Sequence, residues 1–146
     1  MIDEQFVMFH IQAATQRGAI ETLVKEAARL GRVRDEKLVV DAVLQREEEG
    51  TTGFGKGIAI PHGKSDGVVE PTLMYGRLDT KIDWKSMDDA PVDKLFLILV
   101  PETSHTEHLQ MLAKLARKLM HDEFVDALEG IMEPKALADF LKSQLQ

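Results

Sequence analysis

One run of nine residues, VDKLFLILV at 92–100, narrows the fold of this chain more than any other stretch. Apolar side chains at successive positions cover both faces of a strand, and a strand covered on both faces belongs in the middle of a layered sheet. Pro101 ends it. The purely apolar part, Leu95 to Val100, falls far short of the roughly 20 residues a membrane-spanning helix needs. A central strand buried on both sides requires helices to cover it, and the chain supplies them. Thr15 caps a predicted helix to about Leu30, with Ile20, Leu23, Val24 and Ala27 at helical spacing and Gly31 as its stop. Asp35 caps a second through Leu38, Val39, Ala42 and Val43, ending near Glu49 with Gly50 at the C-cap. Leu109, Leu112, Leu115, Ala116 and Leu119 mark a third over about Thr106 to Met120. Asp122 caps a fourth, and Pro134 suits the first turn of a last one.

Further strands are expected at Phe6–Ile11, 58–60 and Thr72–Leu78, with residues 62–67 and 84–91 as loop and turn. Strands interleaved with helices give an α/β layered domain. No helix separates 72–78 from 92–100, so that pair is expected to run antiparallel. The 146 residues, 44% hydrophobic and 29% charged, without repeat or linker, read as one domain over 1–146.

Composition also removes chemistries. The absence of cysteine excludes a thiol nucleophile, a redox pair, a disulfide frame and a cysteine zinc site. With 18 basic against 25 acidic residues the net charge is −7, which argues against nucleic acid as a partner. The start MIDEQF carries acids where a signal peptide carries Lys or Arg, so a cytoplasmic location is expected.

The densest unusual segment is REEEGTTGFGKGIAIPHGK, 46–64. His62 stands between Pro61, which fixes φ, and Gly63, which has no Cβ; a side chain so placed is presented at a strand end in a defined direction. Neutral imidazole is a good nucleophile near pH 7. The competing reading is a histidine in an ordinary turn. GFGKG matches neither a P-loop nor G-x-G-x-x-G, so it reads as a flexible connection into the 58–60 strand. Backbone N–H groups near Gly63 can still help hold an anion. His105 and His108 lie three apart at the start of the third helix, as surface or capping residues, as partners for His62, or as half of a metal site whose third ligand the sequence does not name. Arg46 precedes Glu47, Glu48 and Glu49; it is either an exposed ion pair or a guanidinium turned toward a phosphoryl group.

The run Glu47-x6-Phe54-Gly55-x2-Ile58-Ala59-Ile60-Pro61-His62-Gly63 resembles, at every position, the signature of the type-2 IIA domains of the bacterial sugar phosphotransferase system, the fructose–mannitol family. FLILVP (96–101) is similar to that family's central strand, and EHLQMLAKLARKLMHDEF (107–124) to its second histidine and the helix behind it. The resemblance implies a mixed, about five-stranded sheet flanked by helices on both faces. It implies that His62 accepts a phosphoryl group on Nε2 from the carrier protein HPr and passes it to a IIB component, which a IIC membrane component couples to sugar uptake. His108 matches the histidine that stabilises the phosphoryl group, and Arg46 the arginine beside it. No cofactor, metal or nucleotide is implied. The GIAIPHGKSDGVVEPT and IDWKSMDDAPV stretches look more like fructose than mannitol proteins. A nitrogen-regulatory branch with the same G-I-A-I-P-H-G core is the alternative, acting through regulatory or transport partners.

Overall fold

The computed structural model describes residues 2–104 and 106–146, with the backbone alone of Glu107 and His108. After a short 3-10 turn at Glu4–Phe6, the elements are β1 (Val7–Ile11), α1 (Gln16–Arg29), α2 (Glu36–Glu49), β2 (Gly53–Gly55), β3 (Ile58–Ala59), β4 (His62–Lys64), β5 (Thr72–Ile82), β6 (Val92–Val100), α3 (Glu107–Leu119), α4 (Asp122–Gly130) and α5 (Pro134–Leu145).

All nine residues of β6 are buried, as a strand apolar on both faces requires. Leu95, Leu97 and Leu99 join the core that α1 and α2 close with Ile20, Leu23 and Val43. Phe96 and Ile98 join the opposite core, closed by Leu115 and Leu119 of α3, Phe124 and Leu128 of α4, and Leu137 and Leu141 of α5. The sheet is therefore covered on both faces, as expected. Its order is β1-β5-β6-β3-β2, with β4 also paired to β6. β5 runs antiparallel to β6, and β1 parallel to β5. β3 and β4 both run parallel to β6, at Ile58↔Lys94 and His62↔Ile98 respectively. They lie end to end along one edge of β6, so five lanes carry six strand segments.

Four local readings change. The glycine-rich segment is not a flexible connection: β2 pairs antiparallel with β3. Lys56 (φ 60°) and Gly57 (φ 79°) form the tight turn between them, where two positive φ values match the twist of a hairpin. The second correction concerns 62–67, whose first three residues form β4; a three-residue strand with Gly63 at its centre is too short to show a period. Third, β5 runs to Ile82 and not Leu78, its last turn of sequence (DTK) being exposed and so without apolar alternation. Fourth, His121, not Asp122, occupies the N-cap of α4. The Asp122 carboxylate instead accepts from Lys56 Nζ at 3.1 Å, and the same ammonium caps α3 at the Leu119 carbonyl, also 3.1 Å.

The 84–91 loop closes over the hairpin. Asp88 accepts the backbone N–H groups of Lys56 and Ala90, each at 3.0 Å, and those bonds hold its carboxyl below the usual carboxylate range. A Cβ on Gly53 would stand 2.8 Å from the Ser86 backbone, so only glycine lets the loop approach this closely. Among the described residues no helix is long and apolar enough to cross a membrane.

Candidate functional site

Two elements set the direction of the His62 ring. β4 fixes its backbone beside Ile98 of β6. The break at Pro61 leaves Ile60 outside both β3 and β4, and its carbonyl oxygen lies 2.9 Å from His62 Nδ1. A carbonyl can only accept, so Nδ1 carries the proton and, in the neutral ring, Nε2 carries the lone pair. The ring is half-buried.

His62 lies in a cleft of about 630 Å³. One wall is α2, through Ala42, Gln45, Arg46 and Glu49; the floor is β4, through His62, Gly63 and Lys64; the other wall is α3, through Leu109 and Leu112. Arg46 and His62, sixteen positions apart in the sequence, thus share one site. The reading of Arg46 as an ion pair with its acidic neighbours does not hold among the described residues: its Nη1 donates to the Gly50 carbonyl at 2.8 Å. Among the described residues the guanidinium therefore has no carboxylate within salt-bridge distance. Lys64 adds a second cation, two residues along β4 from His62 and so on the same strand face. Against the one carboxylate of Glu49, these two cations leave the described lining of the cleft net positive, a setting that favours a phosphoryl dianion.

Gly63 has a role that the sequence hides. A Cβ there would lie 2.8 Å from Val43 Cγ2 and 3.2 Å from the Val43 backbone nitrogen. Its absence lets α2, and Arg46 with it, sit directly against β4. His105 lies outside the described residues, and so does the side chain of His108; the backbone of His108 is in the first turn of α3, the helix that forms the far wall. Among the described residues no three His, Asp or Glu side chains gather as metal ligands.

Sequence reasoning passed over Glu47. Its carboxylate accepts the Thr52 N–H at 2.6 Å, the Thr52 hydroxyl at 2.5 Å and the Trp84 indole N–H at 3.2 Å. Its position at the head of the signature run was the available signal. Lys64 was legible too, through strand alternation from His62, once 62–64 is known to be a strand.

Known proteins resemble this chain in sequence and in fold. The family model for the phosphoenolpyruvate-dependent sugar phosphotransferase system, EIIA 2, matches residues 1–144. A fructose-specific EIIA component of this system from Haloferax volcanii is 44% identical over 128 residues, which is 88% of this chain and 83% of that protein. A nitrogen regulatory protein of Bradyrhizobium diazoefficiens is 34% identical over 141 residues, 97% of this chain and 92% of that one. The mannitol enzyme IIA of Escherichia coli, solved in complex with phosphorylated mannitol enzyme IIB, has the same fold, with a TM-score of 0.81 over 98% of both chains at 20% identity.

Proposed function

Because the chain belongs to the EIIA 2 family of the phosphoenolpyruvate-dependent sugar phosphotransferase system, we propose that it is a phosphoryl carrier in which His62 is the way-station. The bond from His62 Nδ1 to the Ile60 carbonyl is the observation that carries this reading, because it directs the Nε2 lone pair to the reacting role. The donor is the phosphohistidine of HPr and the acceptor a IIB component, coupled through a IIC membrane component to uptake of a fructose-type sugar. The whole of 1–146 acts as one such domain, in the cytoplasm, without a cofactor.

In the forward step Nε2 of neutral His62 attacks phosphorus in line. The N–P bond to the donor, a phosphoimidazolium protonated on its other ring nitrogen, breaks, and the electron pair returns to the leaving nitrogen of a neutral imidazole. His62 becomes a phosphoimidazolium whose Nδ1–H stays on the Ile60 carbonyl. Both the attacking and leaving atoms are imidazole nitrogens of similar basicity, so the transfer is close to balance and reversible. Catalysis then rests on alignment and charge neutralisation more than on proton transfer. Arg46 supplies a charge-assisted hydrogen bond to a phosphoryl oxygen, and His108 a second stabilising contact.

The test is incubation with enzyme I, HPr and labelled phosphoenolpyruvate, followed by intact-mass measurement. An adduct of about 80 Da, acid-labile and base-stable, is expected; its absence would overturn the carrier reading. Arg46→Lys is expected to slow transfer about tenfold, equivalent to about 1.4 kcal/mol in the barrier. A lysine has one nitrogen and must choose between the Gly50 carbonyl and the phosphoryl group, where the guanidinium serves both. Rapid-quench kinetics check this, and an unchanged rate removes Arg46 from the site.

The alternative is a regulatory phosphoprotein, favoured by the alignment of the nitrogen regulatory protein over 97% of this chain. It keeps the His62 chemistry and changes the destination. Phosphorylated protein mixed with fructose-type IIB and IIC components separates the two: discharge with formation of sugar phosphate supports transport, and retention of the label supports regulation.

A further inference from the structure

The two groups proposed to meet the phosphoryl unit are held by backbone carbonyls, His62 by that of Ile60 and Arg46 by that of Gly50. Neither carbonyl belongs to a strand or helix of the described structure. Something else must fix the segment that contains Gly50 and positions Ile60. The Ile60 N–H donates to the Thr52 carbonyl at 3.0 Å. Thr52 in turn is gripped at both its N–H and its hydroxyl by the carboxylate of Glu47. Trp84, only 1% exposed, donates its indole N–H to the same carboxylate and so pins it from the loop side. An unbroken path of hydrogen bonds therefore runs from Glu47 through Thr52 and Ile60 to the imidazole. The same carboxylate ties down the chain two residues after Gly50, the acceptor of the Arg46 fork.

We propose that Glu47 is the positioning residue of this site, a carboxylate that touches no phosphoryl group but sets both the tautomer of His62 and the direction of Arg46. The inference rests on the carrier reading only for the second of its two consequences. The first concerns the protein at rest. If Thr52 loses its anchor, Ile60 shifts and the Nδ1–H bond weakens, so the proton redistributes between the two ring nitrogens. The second is kinetic, since misplacement by about 1 Å in an in-line transfer can cost on the order of 100-fold.

Glutamine separates geometry from charge at this position. Its amide oxygen can accept both N–H groups, and its NH2 can donate to the Thr52 hydroxyl. Glu47→Gln is therefore expected to keep the Nδ1–H tautomer and transfer within a few-fold of the unaltered protein. Glu47→Ala is expected to give a mixed tautomer by ¹⁵N NMR of the His62 ring and a transfer rate lower by about 100-fold. Combined with Arg46→Ala, it should lose less than the product of the two single effects, because both remove one alignment. A merely structural role would lower the melting temperature and leave the tautomer of the folded protein unmoved. A folded Glu47→Ala protein with the wild-type tautomer overturns the proposal. Where that variant does not fold, Thr52→Val, which removes the hydroxyl and keeps the backbone N–H, is expected to shift the tautomer in the same sense by a smaller amount; no shift there also overturns it. Failure of the unaltered protein to take up phosphate would sink the carrier reading alone, since the NMR measurement needs no phosphoryl donor.

Discussion

Replacing His62 by alanine is expected to abolish phosphorylation by phospho-HPr while leaving the fold intact. The ring is half-buried, and its Nδ1 bonds a backbone carbonyl that solvent can satisfy. Its removal is expected to cost no more than about 1 kcal/mol of stability. The activity loss is of a different order, because no bond to phosphorus can form without the nitrogen. Intact-mass spectrometry after exposure to enzyme I, HPr and phosphoenolpyruvate checks the first point, and a thermal melt the second. An adduct that persists on folded His62→Ala protein would move the acceptor elsewhere, His108 being the first position to examine.

Gly63→Ala is the change expected to harm fold and site together. The added methyl would lie 2.8 Å from Val43 Cγ2 and 3.2 and 3.4 Å from the nitrogen and Cα of the same residue. The Cγ2 atom can turn away, but the backbone of α2 can move only as a helix. Overpacking of this kind costs about 1–3 kcal/mol, which for a chain of this size lowers the melting temperature by several degrees. The helix that moves carries Arg46, so transfer should slow about tenfold or more, through distance and not through loss of a charge. Val43→Ala relieves the Cγ2 contact, and the double variant is expected to be less destabilised than the sum of the two single changes. A Gly63→Ala protein as stable and as active as the parent would mean that the strand and helix tolerate separation.

The layered architecture was legible because its signals are long. Nine apolar residues at 92–100 and four-turn helical periodicities, with caps at Thr15 and Asp35, survive averaging over a window. The features around the site were illegible for the opposite reason. β2, β3 and β4 hold three, two and three residues, too few for any period, and they exist only because β6 and the 84–91 loop pair with them. His62 and Arg46 could be singled out as residue types, yet their shared cleft is a consequence of α2 pressing on β4 at Gly63. Glu47 looked like one of three exposed acids at a helix end. Its distinction, an indole donor 37 positions away, is a tertiary contact that no local pattern announces. Asp122 misled for a related reason, since a good capping residue was taken by Lys56 from another element.

The interruption between β3 and β4 has a cost and a use. Proline at 61 offers no donor, and the lane that β3 and β4 share beside β6 is one rung short. Within that gap the Ile60 carbonyl belongs to neither β3 nor β4, and it is the acceptor that meets the imidazole. The gap in the weave of the sheet thereby leaves the ring an acceptor that fixes which nitrogen holds its hydrogen.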